Sequence, residues 1–314
     1  MTNTLDALTD REIALATSGL STLDNTREQD AILQTWLSEP YPARDDAAAW
    51  AARRSAGPLA DPPDAAQLGV TLADVEVDGV PCRVIEPPSA HGDYLHLHGG
   101  GWSLGSHRLS DERLAELARD TGLRVTSVGY PMAPEHQLPE IIAACRSVAG
   151  TLTGNGGFWA IGGESAGAHL AVTTLLGLRD AGLQPFSAAV LTYGPYDMFG
   201  TPGRRSRKSA EVDRLADIVL PGADQAALRD PAVSPLFADL TGLPPARFLC
   251  GTRDALLEDT LMMDARWRCV APTELDLVAA ADHAFTLMPG PTTQHARRAE
   301  AAFLGRALAG SMAG

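Results

Sequence analysis

Cysteine is scarce in this chain. Only Cys82, Cys145, Cys250 and Cys269 occur in 314 residues, and no two of them form a C-x-x-C pair. Such spacing argues against a thiolate zinc site or a disulfide framework and fits reduced thiols in a cytoplasm. Aromatic residues are few, at 5%. Positive charge is in deficit: 25 Lys and Arg face 39 Asp and Glu, for a formal net charge of -14. A chain so acidic repels polyanions at long range, so neither nucleic acid nor a membrane surface is expected as a partner. Long apolar runs are also missing. Stretches such as "AAVLTYG" from Ala188 fall far short of the roughly 18 residues of a membrane-spanning helix. The opening "MTNTLDALTDREIALA" has no basic segment leading into an apolar one. No secretion signal is therefore expected, and the expected location is cytoplasmic.

What is present suits a large soluble core, with 45% hydrophobic and 20% charged residues,. Residues 1 to about 60 read as helical, with Ile13, Leu15 and Ala16, then Ile32, Leu33, Trp36 and Leu37, near helical spacing,. "GPLADPPDAAQLG" (57–69) reads as a linker,. Beyond it, short runs rich in Val, Ile and Leu alternate with longer amphipathic stretches. "DVEVDGVPCRVIEPP" reads as a hairpin turning at Asp78-Gly79,. "SDERLAELARDTG" reads as a helix with Ser110 at its N-cap and Gly122 past its end,. Strands alternating with crossover helices imply an α/β fold with a mostly parallel sheet covered on both faces. Residues 200–230 break the alternation and read as an insertion over the carboxyl edge of that sheet, where open α/β sheets bind ligands,.

The strongest chemical signal is Gly163-Glu164-Ser165-Ala166-Gly167, a G-x-S-x-G turn between an apolar strand and a helix. A sharp strand-to-helix turn pushes the serine Oγ outward, and small residues on either side let neighbouring backbone approach. A nucleophilic serine needs a base and a group to orient it. Asp254 follows the strand "ARFLCG" and His283 the strand "PTELDLVA", which would bring both to the same sheet edge as Ser165. Rival acids are Glu258 and Asp259, expected near a helix N-terminus and solvated, and Asp282, expected to point away from its neighbour His283. His169, in the helix after Ser165, reads as structural.

"HLHGGGW" (96–102) poses a choice between metal ligands and an anion-binding loop. His96 and His98 could begin a zinc site, but glycines and a tryptophan follow, and no H-E-x-x-H or H-x-H-x-D-H motif occurs,. The glycines instead suit backbone N–H groups that approach an oxyanion, two of Gly99, Gly100 and Gly101 acting with Ala166. His98 then holds the loop, and His96 belongs to the core or sheet edge.

Together these segments resemble the hormone-sensitive-lipase-like family of α/β-hydrolase esterases. His98-Gly99-Gly100-Gly101-Trp102 is similar to its H-G-G-G-[FW] loop, and Tyr130-Pro131-Met132-Ala133-Pro134-Glu135 to its Y-x-L-A-P-E segment. Gly163–Gly167 resembles its G-[DE]-S-A-G turn, "DPAVSPLFADLTGLPPARFLCGTRDALLED" its S-P-L…L-P-P…G-x-x-D-P-L-x-[DE] region, and His283-Ala284-Phe285 its H-[GA]-F. Departures are Met132 for Leu and Ala255 for Pro. The resemblance implies an α/β-hydrolase fold with an eight-stranded sheet and Ser165, Asp254 and His283 as catalytic triad. It also implies an oxyanion hole of Gly99, Gly100 and Ala166, and neither metal nor cofactor. A helical cap would comprise 1–60 and about 200–230, over a core of 61–199 and 231–314.

The function expected is hydrolysis of small or medium-chain carboxylic esters through an acyl-enzyme. Acyl transfer, amide hydrolysis or another biosynthetic reaction on the same fold remains an alternative, as does a non-catalytic receptor. Pocket walls are expected from Trp36, Trp50, Trp102, Met198 and Phe199. "RRSRK" (Arg204–Lys208) reads as solvated surface or as a guide for anionic substrates. Glu135 and Glu164 are expected to play support roles. The sequence does not reveal the oligomeric state, and the resemblance adds only a homodimer as an option.

Overall fold

The structure, a computed structural model, describes residues 40–55, 68–154, 156–202 and 210–312. Helix α1 (Ala47–Ser55) lies within the N-terminal segment that reads as helical in the sequence. The positions read as helical from Ile13 to Leu37, most of the 57–69 linker and the Arg204–Lys208 cluster lie outside the described residues.

Strands β1 (Thr71–Val77) and β2 (Val80–Glu86) form the expected hairpin, with Val77 opposite Val80. Asp78 (φ 51°) and Gly79 (φ 77°) both have positive φ, as the two-residue turn that matches the twist of a hairpin requires. Next come β3 (Gly92–Leu97), α2 (Asp111–Thr121), β4 (Leu123–Val128), α3 (Leu138–Thr153), β5 (Trp159–Glu164), α4 (Ala166–Asp180) and β6 (Ala188–Thr192). After α5 (Ala210–Val219) and α6 (Gln225–Leu228), the chain continues through β7 (Ala246–Gly251), α7 (Leu257–Trp267), β8 (Thr273–Val278) and α8 (Pro291–Met312). The strands make one eight-stranded sheet in the order β1-β2-β4-β3-β5-β6-β7-β8. β2 pairs antiparallel with β1 and β4, and every other pairing is parallel.

The period-two alternation of strand side chains divides the core between the faces. Tyr94 of β3, Ala160 of β5 and Val190 of β6 pack with Leu114 of α2 and Leu304 of α8. Leu95, Ile161 and Leu191, their alternating neighbours, pack on the other side with Ile141 of α3, Leu170 of α4 and Met263 of α7. Helix α2 ends as expected: Gly122 is left-handed (φ 70°) and its N–H reaches Ala118 O. Its start differs from the reading. The Ser110 side chain makes no capping hydrogen bond, and Asp111 and Glu112 supply acidic charge in the first turn instead,. Among the described residues no helix is long and apolar enough to cross a membrane.

Candidate active site

β5 runs directly into a strained turn. Ser165 sits at φ 53°, ψ -120°, a conformation that non-glycine residues rarely adopt. The crowding around it explains the flanking glycines. A Cβ on Gly163 would stand 2.1 Å from Leu97 O, and one on Gly167 1.8 Å from the same oxygen. The turn is therefore pressed onto the end of β3. The Ser165 N–H donates to Thr192 O at 2.9 Å, fastening it to β6 as well. α4 starts at the next residue, so its unpaired N-terminal N–H groups gather beside the serine,.

Two further loops meet this turn. Asp254 follows β7 and His283 follows β8. Ser165 Oγ lies 3.0 Å from His283 Nε2, and His283 Nδ1 lies 2.8 Å from Asp254 Oδ2. Asp254 is buried, and its other oxygen accepts the Leu256 N–H at 2.8 Å. A carboxylate held against Nδ1 places the ring proton there, leaving Nε2 to accept from the serine hydroxyl. The Tyr193 ring packs edge-on against His283, with centroids 4.9 Å apart. The two loops are also tied to each other: the Arg253 N–H donates to Ala281 O at 3.0 Å, and the Arg253 guanidinium pairs with Asp282. Asp282 thus points away from His283, as expected.

The glycine turn lies alongside. A Cβ on Gly99 would come within 3.6 Å of Ser165 Cβ, and one on Gly100 (φ 118°) would strike Leu104 O at 2.1 Å. His98 is fully buried and burial lowers its pKa to about 3, so the ring is neutral. Its Nδ1 lies 2.8 Å from Gly99 O and donates to it. In a trans peptide the following N–H points the opposite way, which turns the Gly100 N–H away from His98. The Tyr130 ring stacks on His98 at 4.1 Å, and its hydroxyl donates to His98 O at 2.7 Å. Among the described residues, no hydrogen bond occupies the N–H of Gly99, Gly100 or Ala166.

Comparison with known proteins bears on the fold and family of the chain. The model of a family described as having the alpha/beta hydrolase fold matches residues 94–287. An acetyl-hydrolase of Streptomyces hygroscopicus is 32% identical over 211 residues, covering 63% of this chain and 69% of that protein. An esterase of Acinetobacter venetianus is 34% identical over 53% of this chain and 58% of its own length. Among solved structures, an esterase of the bacterial hormone-sensitive lipase family superposes with a TM-score of 0.75 at 26% identity, over 88% of this chain and 96% of that one. The chain belongs to the hormone-sensitive-lipase-like α/β-hydrolases. That membership places it among carboxylic ester hydrolases.

Within this hydrolase the remaining candidates settle into distinct places. His96 is fully buried, with Nδ1 3.0 Å from Ser127 Oγ and Nε2 2.9 Å from Glu164 Oε2. Both histidines of "HLHGGGW" are thus engaged by protein groups. Among the described residues no cluster of His, Cys, Asp and Glu is arranged to hold a metal ion. His169 sits 2.8 Å from Val233 O through Nε2 and accepts the Trp102 indole N–H at Nδ1 (3.3 Å). Burial lowers its pKa to about 4, so it stays neutral and braces the core.

Of the expected pocket walls, Trp102 and Met198 are buried in the main core cluster, with Trp102 turned against His169. Trp50 is buried there too, stacked on Tyr41. Phe199 is half-buried beneath the Arg229 guanidinium, 4.4 Å from its ring centroid. Trp36 lies outside the described residues. Asp259 requires a correction. It is fully buried rather than solvated and accepts the N–H groups of Tyr196 (2.8 Å) and Asp197 (3.0 Å), shaping the loop after β6.

Sequence reading missed what lies beneath the nucleophile. Glu164 forms a buried ion pair with Arg113 of α2, which also pairs with Glu300 of α8 at 3.1 Å. Burial alone would raise the Glu164 pKa, but Arg113 and then His96 overcome it and lower the group to about 2. The partners come from distant segments with no shared local pattern, so no sequence signal announced them. Arg54 of α1 was also missed; it pairs with Glu135 at 2.7 Å.

Proposed function

We propose that this protein is a serine carboxylesterase that cleaves small carboxylic esters through an acyl-enzyme on Ser165. The observation that carries the reading is the continuous chain Ser165 Oγ, His283, Asp254, with separations of 3.0 and 2.8 Å. His283 takes the hydroxyl proton as Ser165 attacks the acyl carbon, and Asp254 stabilises the imidazolium that forms. The N–H groups of Gly99, Gly100 and Ala166 receive the oxyanion. His283 passes its proton to the leaving alcohol, and water then repeats the sequence in reverse to free the acid.

Preference for short acyl groups is supported by the crowding over the glycine turn. A Cβ on Gly101 would stand 2.9 Å from Leu215 of α5 and 3.5 Å from the Tyr41 hydroxyl. The name of the Streptomyces relative, an acetyl-hydrolase, points the same way. In this reading the N-terminal residues to about 60 and the 200–230 segment form a cap above the core.

The test is a panel of p-nitrophenyl esters of graded acyl length, with wild type and Ser165→Ala. Activity should peak at short chains, and Ser165→Ala should lower kcat by a factor on the order of 10⁴ to 10⁶. Full turnover by the variant would overturn the assignment of Ser165. Wild-type inactivity on every ester would move the reaction to another acyl acceptor or bond type.

A further inference from the structure

Arg54 stands near the end of α1, 49 residues before Ser103 in sequence, yet its guanidinium reaches the backbone behind the glycine turn. Nε donates to Ser103 O at 3.0 Å and Nη2 to Ala133 O at 2.7 Å. The same fork holds both oxygens of Glu135, at 2.9 and 2.7 Å. Trp50, buried one helical turn earlier, lies under the guanidinium, with the ring centroid 5.7 Å away.

Both backbone residues that Arg54 grips are themselves bonded into the glycine turn. The Ser103 N–H donates to Gly100 O at 3.2 Å, and the Ala133 N–H donates to Trp102 O at 2.9 Å. Gly100 and Gly101, both at positive φ, have wide conformational freedom of their own, so something outside the turn must hold its shape. A planar fork of five N–H donors can hold two carbonyls and a carboxylate at once, and a lysine ammonium cannot reproduce that geometry.

We propose that Arg54 is a positioning residue for the reaction: by clamping Ser103, Ala133 and Glu135, it makes the docked N-terminal helix set the backbone of the oxyanion turn. The proposal rests on the serine-esterase reading above. Arg54 does not touch the reacting atoms, so its loss should weaken transition-state stabilisation while leaving ground-state ester binding in place.

The experiment compares wild type, Arg54→Ala, Arg54→Lys and Glu135→Gln by three readouts. With p-nitrophenyl acetate, Arg54→Ala should lower kcat about tenfold or more with KM little changed, less than the roughly 10²–10³ lost with a whole oxyanion donor. Phosphonylation of Ser165 by a p-nitrophenyl phosphonate, followed by mass shift, should slow in parallel. Hydrogen exchange should quicken in peptides covering 99–104 while the core strands keep their protection. Arg54→Lys should behave like Arg54→Ala, and Glu135→Gln should fall between. If Arg54→Ala fails to fold, Arg54→Lys and Glu135→Gln carry the same comparison. Wild-type kcat and phosphonylation in folded Arg54 variants would overturn the proposal, even with faster exchange, because the residue would then be structural only. Failure of wild type itself to label at Ser165 would instead overturn the serine-esterase reading, and unchanged exchange at 99–104 would still refute the clamp.

Discussion

At the scale of single residues, the site depends on atoms that are absent as much as on those present. Gly100→Ala would drive a methyl group to 2.1 Å from Leu104 O at φ 118°. The turn must deform, and kcat on a short ester should fall by about 10² or more, comparable to losing an oxyanion donor. Gly79, where a Cβ meets nothing within 4 Å, is the control, and Gly79→Ala should keep wild-type kcat. Equal activity in both variants would show that the glycine turn has no part in the reaction. Asp254→Asn should lower kcat by roughly 10⁴ with little change in KM, because an amide can hold His283 in the wrong tautomer. Pre-steady-state kinetics would show slower acylation. The place of Ser165, between strand and helix, was readable in the sequence from local pattern. The direction of the Trp102 indole, which donates to His169, was not, because a motif letter carries no direction.

At the scale of elements, the turn that presents Ser165 rests on helices from opposite ends of the catalytic region. Arg113 of α2 is shared by Glu164 and Glu300, so removing Glu164 breaks one buried ion pair while Glu300 still compensates the guanidinium. Glu164→Ala should destabilise by about 1.5–3 kcal/mol, measured by denaturant unfolding. The pH dependence has a definite sign. Glu164 drops from an ordinary 4.5 to about 2 in the folded state, so its contribution is complete above the unfolded value and disappears as pH falls through the folded one. The gap in melting temperature between wild type and Glu164→Gln should therefore be widest above pH 4.5 and close toward pH 2. A constant gap across that window would show that Glu164 is not held as a carboxylate. The elements themselves were legible because apolar residues recur with the periods of strand and helix. The Ser110 cap was not, because a serine before a helix predicts an option that the backbone (φ -112°, ψ 22°) does not use.

At the scale of the whole molecule, the mostly parallel sheet and the convergence of three loops at one edge follow from repeated strand–helix units, and were legible for that reason; the strand order was not read from the sequence. What joins distant units was not: Arg54 lies 79 residues from Ala133, and Arg113 lies 187 residues from Glu300. The net charge of -14 acts on every encounter. For an ester carrying negative charge, kcat/KM should rise as salt increases from about 10 to 150 mM, because screening weakens the repulsion. A neutral ester should show no such trend. A fall with salt would instead favour local guidance by Arg204, Arg205 and Arg207. The 187-residue span between Arg113 and Glu300 also bears on biosynthesis. A nascent chain contains Ser165 118 residues before His283, and Glu300, the second partner of Arg113, is made later still. Chains stalled before His283 lack the base that contacts Ser165 and should not react with a phosphonate, whereas released chains should.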